Sequence, residues 1–296
     1  MTGGGAAVVA EEADRGRSLW LDAWRALKHN RAAMLGTWII LAMAVFVTVG
    51  PWFGAYAFDF TDFAHVASPP SLATGHVFGT DTLGRDLYAR VLYGGRISLL
   101  VGIVATCVSL VIGIAYGSVA GYFGGRIDAV LMRIVDILYA LPFMFLVILL
   151  MVFFGRNILL IFVAIGAINW LDMARIVRGQ TLSLKHREFV EAAEAQGVAS
   201  FAIIRRHIVP NLLGVVAVYV TLTIPQVILV ESFLSFLGLG VQEPMTSWGA
   251  LVHEGAEQLE TAPWMLIVPA VFLATTLFCF NFVGDGMRDA LDPKDR

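Results

Sequence analysis

Polar and apolar residues alternate along this chain in long blocks rather than in short periods. Five stretches, 32–58, 97–123, 137–155, 208–230 and 261–284, contain no Asp, Glu, Lys or Arg. Each is as long as the roughly 17–25 residues a helix needs to cross a hydrocarbon layer. A sixth apolar stretch, 157–171, is shorter, and on length alone a buried soluble helix is equally allowed there. Only Arg156 separates it from the third, so the two read as a helical hairpin. The pattern predicts an all-α integral membrane protein with about six transmembrane helices. Pro142, Pro225 and Pro269 fall inside the third, fifth and sixth stretches. A mid-helix proline removes a hydrogen bond and kinks the helix, which membrane bundles tolerate. Static packing and a hinge are both open readings of these prolines.

Composition agrees with the pattern. Apolar residues make up 58% and charged residues 15%, against roughly 45–50% and about 25% in soluble domains. The distribution of Lys and Arg then predicts orientation, because cytoplasmic loops collect them. With six spans, sixteen of the twenty fall on one side: in the N-terminal tail, around Arg126 and Arg133, between Arg175 and Arg206, and in the C-terminal tail. The other side receives Arg85, Arg90, Arg96 and Arg156, and its last loop carries Glu243, Glu254, Glu257 and Glu260. Both termini are therefore expected in the cytoplasm. The segments are a cytoplasmic tail 1–31, a first span 32–54, an extracytoplasmic loop 55–96, a five-helix core 97–286 with an inner loop 172–210, and a cytoplasmic tail 287–296. About thirty mixed polar residues precede the first span, unlike a cleavable signal. The Gly/Ala-rich first ten residues read as disordered.

Several chemistries do not fit. There is no Gly-Lys pair, so a Gly-x-x-x-x-Gly-Lys-Ser/Thr phosphate loop cannot be built. His253-Glu254 opens a zinc-protease pattern, but Glu257 stands where its second histidine belongs. The other histidines, His29, His65, His76, His186 and His207, are scattered and suggest no ligand set. Cys107 and Cys279 both lie in apolar spans, where a thiol acts as a small hydrophobe. A net charge of −3 without a basic run gives no sign of nucleic-acid binding. The chain is expected to be neither an enzyme nor a metal or cofactor binder.

The inner loop contains the run from Arg187 to Gly197. As a helix it places Phe189, Ala192, Ala193 and Gln196 on one narrow face, beside an acidic stripe of Glu188, Glu191 and Glu194. Gly197 is the natural helix stop, since it enters the left-handed conformation without a Cβ penalty. Amphipathic helices that lie on membranes usually carry a basic face and large apolar residues. This one is acidic and alanine-faced, which suits a groove on another protein.

Glu191-Ala192-Ala193, Gly197 and Pro210 resemble the EAA loop of type I ABC importer permeases. At its far end that loop reads Ile-x-Leu-Pro, where this chain has His207-Ile208-Val209-Pro210. The residues 78–86, Gly94-Gly95-Arg96-Ile97-Ser98, 232–240, Ser247-Trp248-Gly249 and 284–293 resemble the second permease of the peptide/nickel importers. The stretches 16–20 and 29–33 resemble the oligopeptide members of that family most closely. The resemblance implies a type I permease fold in a bacterial inner membrane. It implies as partners a second permease, two ATPases that bind ATP and Mg, and an external peptide-binding protein. Glu188, Glu191, Ala192, Ala193, Gly197 and Pro210 would then couple the chain to an ATPase. Dipeptides and nickel chelates are alternative cargoes.

A secondary transporter working without ATP is the rival reading, and such proteins usually keep ionisable residues inside their spans. Asp136, Asp172 and Asp285 lie near predicted inner ends, and only Glu231 lies deeper. Glu231 either lines a pathway, with Asn169 and Gln226, or pairs with a neighbouring helix. So few polar groups could not hold a peptide selectively, so substrate choice is expected to rest with the external binding protein.

Overall fold

The computed structural model describes residues 19–154 and 158–291. The first ten residues, Arg156 and the last residues of the C-terminal tail lie outside the described residues. Among the described residues the regular elements are helices: α1 (Leu19–His29), α2 (Arg31–Val49), α3 (Leu87–Phe123), α4 (Gly125–Ala140), α5 (Phe143–Phe154), α6 (Ile158–Lys185), α7 (Glu188–Ala195), α8 (Ser200–Ile203), α9 (Val209–Phe236), α10 (Trp248–Glu257) and α11 (Trp264–Leu291). A tight turn, Gly50–Phe53, extends α2, and a wide π-type turn, Ile204–Ile208, joins α8 to α9. Their starts are legible in side chains that accept hydrogen bonds from free backbone N–H groups. Asn30 accepts from Ala33 N at 3.1 Å, Asp86 from Ala89 N at 2.9 Å, and Ser247 from Ala250 N at 3.2 Å.

Four helical stretches are long and apolar enough to cross a membrane: Arg31–Phe53, Leu87–Phe123, Ser200–Phe236 and Trp264–Leu291. The second begins ten residues before its charge-free stretch, so Arg90 and Arg96 lie within it. The third predicted span is different. α4 stops at Ala140, and Leu141 turns extended (φ −75°, ψ 132°), the conformation a following proline imposes. Pro142 therefore separates α4 from α5 instead of kinking one helix, whereas Pro225 and Pro269 stay inside α9 and α11. The segment 172–210, polar and helix-prone in sequence, is mostly helix. Its first part continues α6 to Lys185, and its last part opens the rod that runs on into α9. Pro210 sits in the first turn of α9 just after the wide turn. With no N–H, it cannot donate the intrahelical bond a regular turn would supply there.

The central packing is α3 against α6. At 37 residues α3 spans about 55 Å. Along it run Gly113, Gly117 and Gly121, four residues apart and all on one face. A Cβ at Gly113 would collide with Met173, and one at Gly121 would lie 2.7 Å from Thr181. At Gly117 it would meet the carbonyl of Ala174 and lie 2.8 Å from Val177 Cβ. Lipid provides no hydrophobic drive between helices, so such close backbone approach is what holds membrane helices together. Large apolar side chains such as Leu35, Trp38, Val111 and Phe278 are exposed on the outside, as lipid contact requires.

One end of the bundle carries a buried charge cluster. The loop before α3 turns at Gly79 and Gly84, both with positive φ, and Asp81 Oδ1 accepts from the N–H of Leu83 and of Arg85, each at 2.8 Å. Asp81 Oδ2 accepts from Arg85 Nε at 2.7 Å and from Arg90 Nη1. Arg90 also forks onto Glu254 of α10, at 2.6 and 2.9 Å. Arg85 reaches Glu243 at 3.0 Å. Nearby, the His65 side chain and the Ala64 N–H hold the Asp62 carboxyl below its ordinary pKa. At the other end, Leu27 and Ala33 pack with Met287, Ala290 and Leu291. The N- and C-terminal helices thus meet at one place.

Candidate functional site

α7 is the short helix expected from the Glu-Ala-Ala run, and the structure shows how it is mounted. Glu188 and Glu191 occupy its first turn, where carboxylates suit the partial positive charge of a helix start. Gly197 closes it with φ +76°. Val198 N donates to Ala193 O at 3.1 Å and Gly197 N to Glu194 O at 2.9 Å, the paired bonds of a left-handed glycine cap. Val190 and Ala193 are buried against Tyr122 of α3, Met173 and Val177 of α6, Ile203, Ile208, and Leu212 of α9. Tyr122 also donates to Glu194 Oε1 at 2.8 Å.

The narrow face inferred from spacing is therefore divided. Phe189, Ala192 and Gln196 are exposed, as are Glu188 and Glu191. Ala193 is turned inward and forms part of the seat. Glu194 is exposed but tied to Tyr122. What remains outward is a thin, acidic surface of Glu188, Phe189, Glu191 and Ala192, seated on the ends of three long helices. Pro210 is exposed at the head of α9. Val190, the anchor of the helix, was missed by the spacing argument, because a single valine in an alanine-rich run carries no periodic signal.

The three residues considered for a pathway part company. Asn169 donates to Ile165 O at 2.9 Å and lines a half-open cavity of about 500 Å³ with Tyr139, Pro142, Asp172 and Val230. Gln226 is exposed one turn before Val230. Glu231 is fully buried. Its carboxylate accepts from Ser235 Oγ at 2.7 Å and from Ser98 Oγ of α3 at 3.3 Å. Ser98 Oγ in turn accepts from Trp248 N at 3.2 Å, and Ser247 Oγ donates to Ser235 Oγ at 3.2 Å. Glu231 thus links α3 and α9 through Ser98 and Ser235, which in turn meet the start of α10. Glu231→Gln should then leave assembly and transport close to wild type, since an amide still fills the knot. Glu231→Ala should cost about 2–4 kcal/mol, from a cavity and hydroxyls left without partners. Thermal unfolding and uptake per assembled complex would be measured for both. Normal assembly but blocked uptake in Glu231→Gln would place this residue in the pathway.

With this geometry in hand, comparisons with known proteins decide the family. A family model described as the binding-protein-dependent transport system inner membrane component matches residues 113–296. A second, the N-terminal TM domain of oligopeptide transport permease C, matches residues 18–70. The chain belongs to the binding-protein-dependent transport permeases. This permease is 60% identical to the oligopeptide transport system permease protein OppC of Escherichia coli (strain K12) over 95% of its own length and 93% of that protein's. It is 58% identical to OppC of Haemophilus influenzae over 95% and 90% of the two chains. The dipeptide transport system permease protein DppC of Bacillus subtilis is 47% identical over 93% and 86%. Among solved structures, an inward-facing MetNI methionine ABC transporter has a chain that aligns with a TM-score of 0.54 at 18% identity. That alignment covers 67% of this permease and 94% of that chain, and it supports the fold alone. The protein is thus an inner-membrane permease subunit of an ABC importer, not the subunit that hydrolyses ATP.

The motifs that carried the family resemblance turn out to be the joints of this permease. A Cβ on Gly94 would lie 3.0 Å from the Ser247 backbone, and one on Gly95 would lie 2.6 Å from the Trp248 ring. Arg96 donates to the carbonyls of Val47 and Thr48, each at 2.6 Å, and satisfies the end of α2. Ser98 reaches Glu231. The segments 94–98, 232–240 and 247–249 therefore build one polar knot around α10.

Proposed function

We propose that this permease is one of two channel-forming subunits of an ATP-driven importer of oligopeptides, coupled to an ATPase through the exposed face of α7. The observation that carries the proposal is the mounting of α7. An acidic, thin surface is presented outward while its buried side is wedged against α3, α6 and α9. A push on such a helix is passed to those three rods at once, because packed cores shift between discrete arrangements rather than deform smoothly. The names of the most similar relatives reported above support oligopeptides as cargo.

In this reading the chain crosses the membrane six times. The segments 1–31 and 287–296 form cytoplasmic tails, 32–54 is the first span, 55–96 lies outside, and 97–286 is the core shared with other permeases. The meeting of α1 with the end of α11 supports placing both termini on one side. The distribution of Lys and Arg supports calling that side cytoplasmic. ATP and Mg belong to two partner ATPases, and an external binding protein delivers the peptide. The cavity beside Asn169, with Gln226 at its approach, is the part of this chain assigned to the pathway, completed by the second permease. Closure of the ATPase pair would carry α7 with it and open the bundle outward.

The coupling reading is tested with Glu191→Lys and Gly197→Val in the reconstituted importer. Glu191→Lys reverses charge on the docking face and should cut peptide-stimulated ATP hydrolysis several-fold. Gly197 has open space around its Cβ position, so Gly197→Val acts through backbone strain of about 1–3 kcal/mol at positive φ and through its bulk against a docked partner. Gly197→Ala should be distinctly milder. Normal stimulated hydrolysis in both Glu191→Lys and Gly197→Val would show that another surface couples the subunits.

A further inference from the structure

We propose that Asp62, His65 and His76, in the loop that precedes α3, form a binding site for a divalent transition-metal ion of the zinc type. One ligand atom from each of the three lies within 4.8 Å of the others. The decisive group is His76. It is fully buried, and its ring stacks on Tyr56 with centroids 4.4 Å apart. Its Nδ1 faces Asp86 Oδ1 at 2.9 Å. Asp86 already accepts from Ala89 N through its other oxygen, so it acts as an acceptor and Nδ1 carries the proton. In the neutral ring Nε2 then presents a bare lone pair. That atom is buried without a hydrogen-bond partner and stands 3.5 Å from Asp62 Oδ2, another lone-pair donor.

Two acceptors facing each other inside protein need a cation between them. Zinc bonds to nitrogen and carboxylate oxygen at about 2.0–2.1 Å in tetrahedral geometry, which sets neighbouring donors about 3.4 Å apart. The spacing of His76 and Asp62 matches that edge. A proton could also bridge this pair, but His65 supplies a third ligand. Its Nδ1–H donates to the same Asp62 oxygen at 2.8 Å, and on metal binding Nδ1 would give up that proton and turn its lone pair to the ion. Two imidazoles and one carboxylate suit zinc, cobalt, nickel or copper, whereas calcium and magnesium need oxygen-rich shells. The proton bond from His76 to Asp86 is the outer-shell arrangement that fixes the ring of a metal-bound histidine. The side chains of His65 and Asp62 are 37% and 22% exposed, which leaves a path for entry and a fourth position for water. Because Asp86 caps α3, an ion here would clip both halves of the loop to the start of the longest helix. The inference stands on the loop alone and is independent of cargo or coupling.

The test uses the intact importer in lipid nanodiscs, stripped with a chelator and then equilibrated with zinc or cobalt(II). The expected result is one zinc retained per copy of this chain by elemental analysis, and an intense visible cobalt(II) spectrum of the four-coordinate type. His65→Ala, at a partly exposed position, should weaken binding at least about tenfold, and the importer carrying both His65→Ala and Asp62→Asn should retain no zinc at this site. Absence of the cobalt spectrum in the unaltered importer would overturn the proposal without reference to any variant. So would equal zinc retention by the unaltered protein and the double variant. A pH-dependent shift of His76 without metal uptake would mean that a proton, and not a metal, bridges the pair.

Discussion

Arg90→Ala will destabilise this permease by about 3–5 kcal/mol, the range for removing one partner from a buried, hydrogen-bonded ion pair. Arg90 and Asp81 are both fully buried, and Arg90 hydrogen-bonds both Asp81 and Glu254, whereas Arg85, also on Asp81, comes only within 3.8 Å of Glu254. Without it, Asp81 keeps Arg85 and its backbone donors but loses its second guanidinium, and the fork that clamps α10 to α3 is gone. Glu254→Gln should cost much less, because the Glu254 side chain is 29% exposed and water can replace part of the bond. Arg90→Lys should fall between them, since an ammonium cannot fork onto a carboxylate. Thermal unfolding of the purified protein in detergent would rank the three. An Arg90→Ala protein as stable as Glu254→Gln would show that the cluster does not hold the two helices together.

The second large effect belongs to Gly117. Gly117→Leu places a branched side chain where the backbone of α6 already stands, with Val177 Cβ 2.8 Å and Arg178 N 2.9 Å from the new Cβ. Overpacking of this kind costs about 1–3 kcal/mol or more, and here α3 and α6 would have to separate along their shared face. Leu is the better helix former by close to 1 kcal/mol, so local propensity predicts the opposite sign. Gly179→Leu is the control. Nothing lies near a Cβ at that exposed position, so it should be neutral or slightly stabilising. Unfolding midpoints and the yield of assembled importer would decide the comparison. Equal behaviour of the two variants would show that glycine contact does not set the α3–α6 distance.

Much of the architecture was legible from charge-free stretches. Lipid cannot hydrogen-bond a backbone, so a long apolar run in such a chain has few alternatives to helix. Charge-free stretches mark α2, the middle of α3, α9 and α11, but not their ends. Helix ends depend on caps and partners: Asp86 starts α3 a full ten residues before the charges stop, because Arg90 finds Asp81 and Glu254. The Gly-x-x-x-Gly-x-x-x-Gly spacing in α3 is a local signal of close helix contact. The Asp81, Arg90 and Glu254 cluster was not readable, since its members are up to 173 residues apart in the chain.

The same division holds for the site. The sequence by itself determined that residues 188–195 form a helix ending at Gly197, because acidic residues at its start and a glycine at its end are local requirements of helix geometry. It also determined that the chain is a membrane protein without a phosphate loop. Only the tertiary structure decided that Val190 and Ala193 face inward while Ala192 faces out, that the Glu231 carboxylate is buried among serine hydroxyls, and that Pro142 ends a helix where Pro225 and Pro269 do not. Each of these turns on which surface lies opposite the residue. That depends on how distant helices pack, and no short stretch of sequence carries the information.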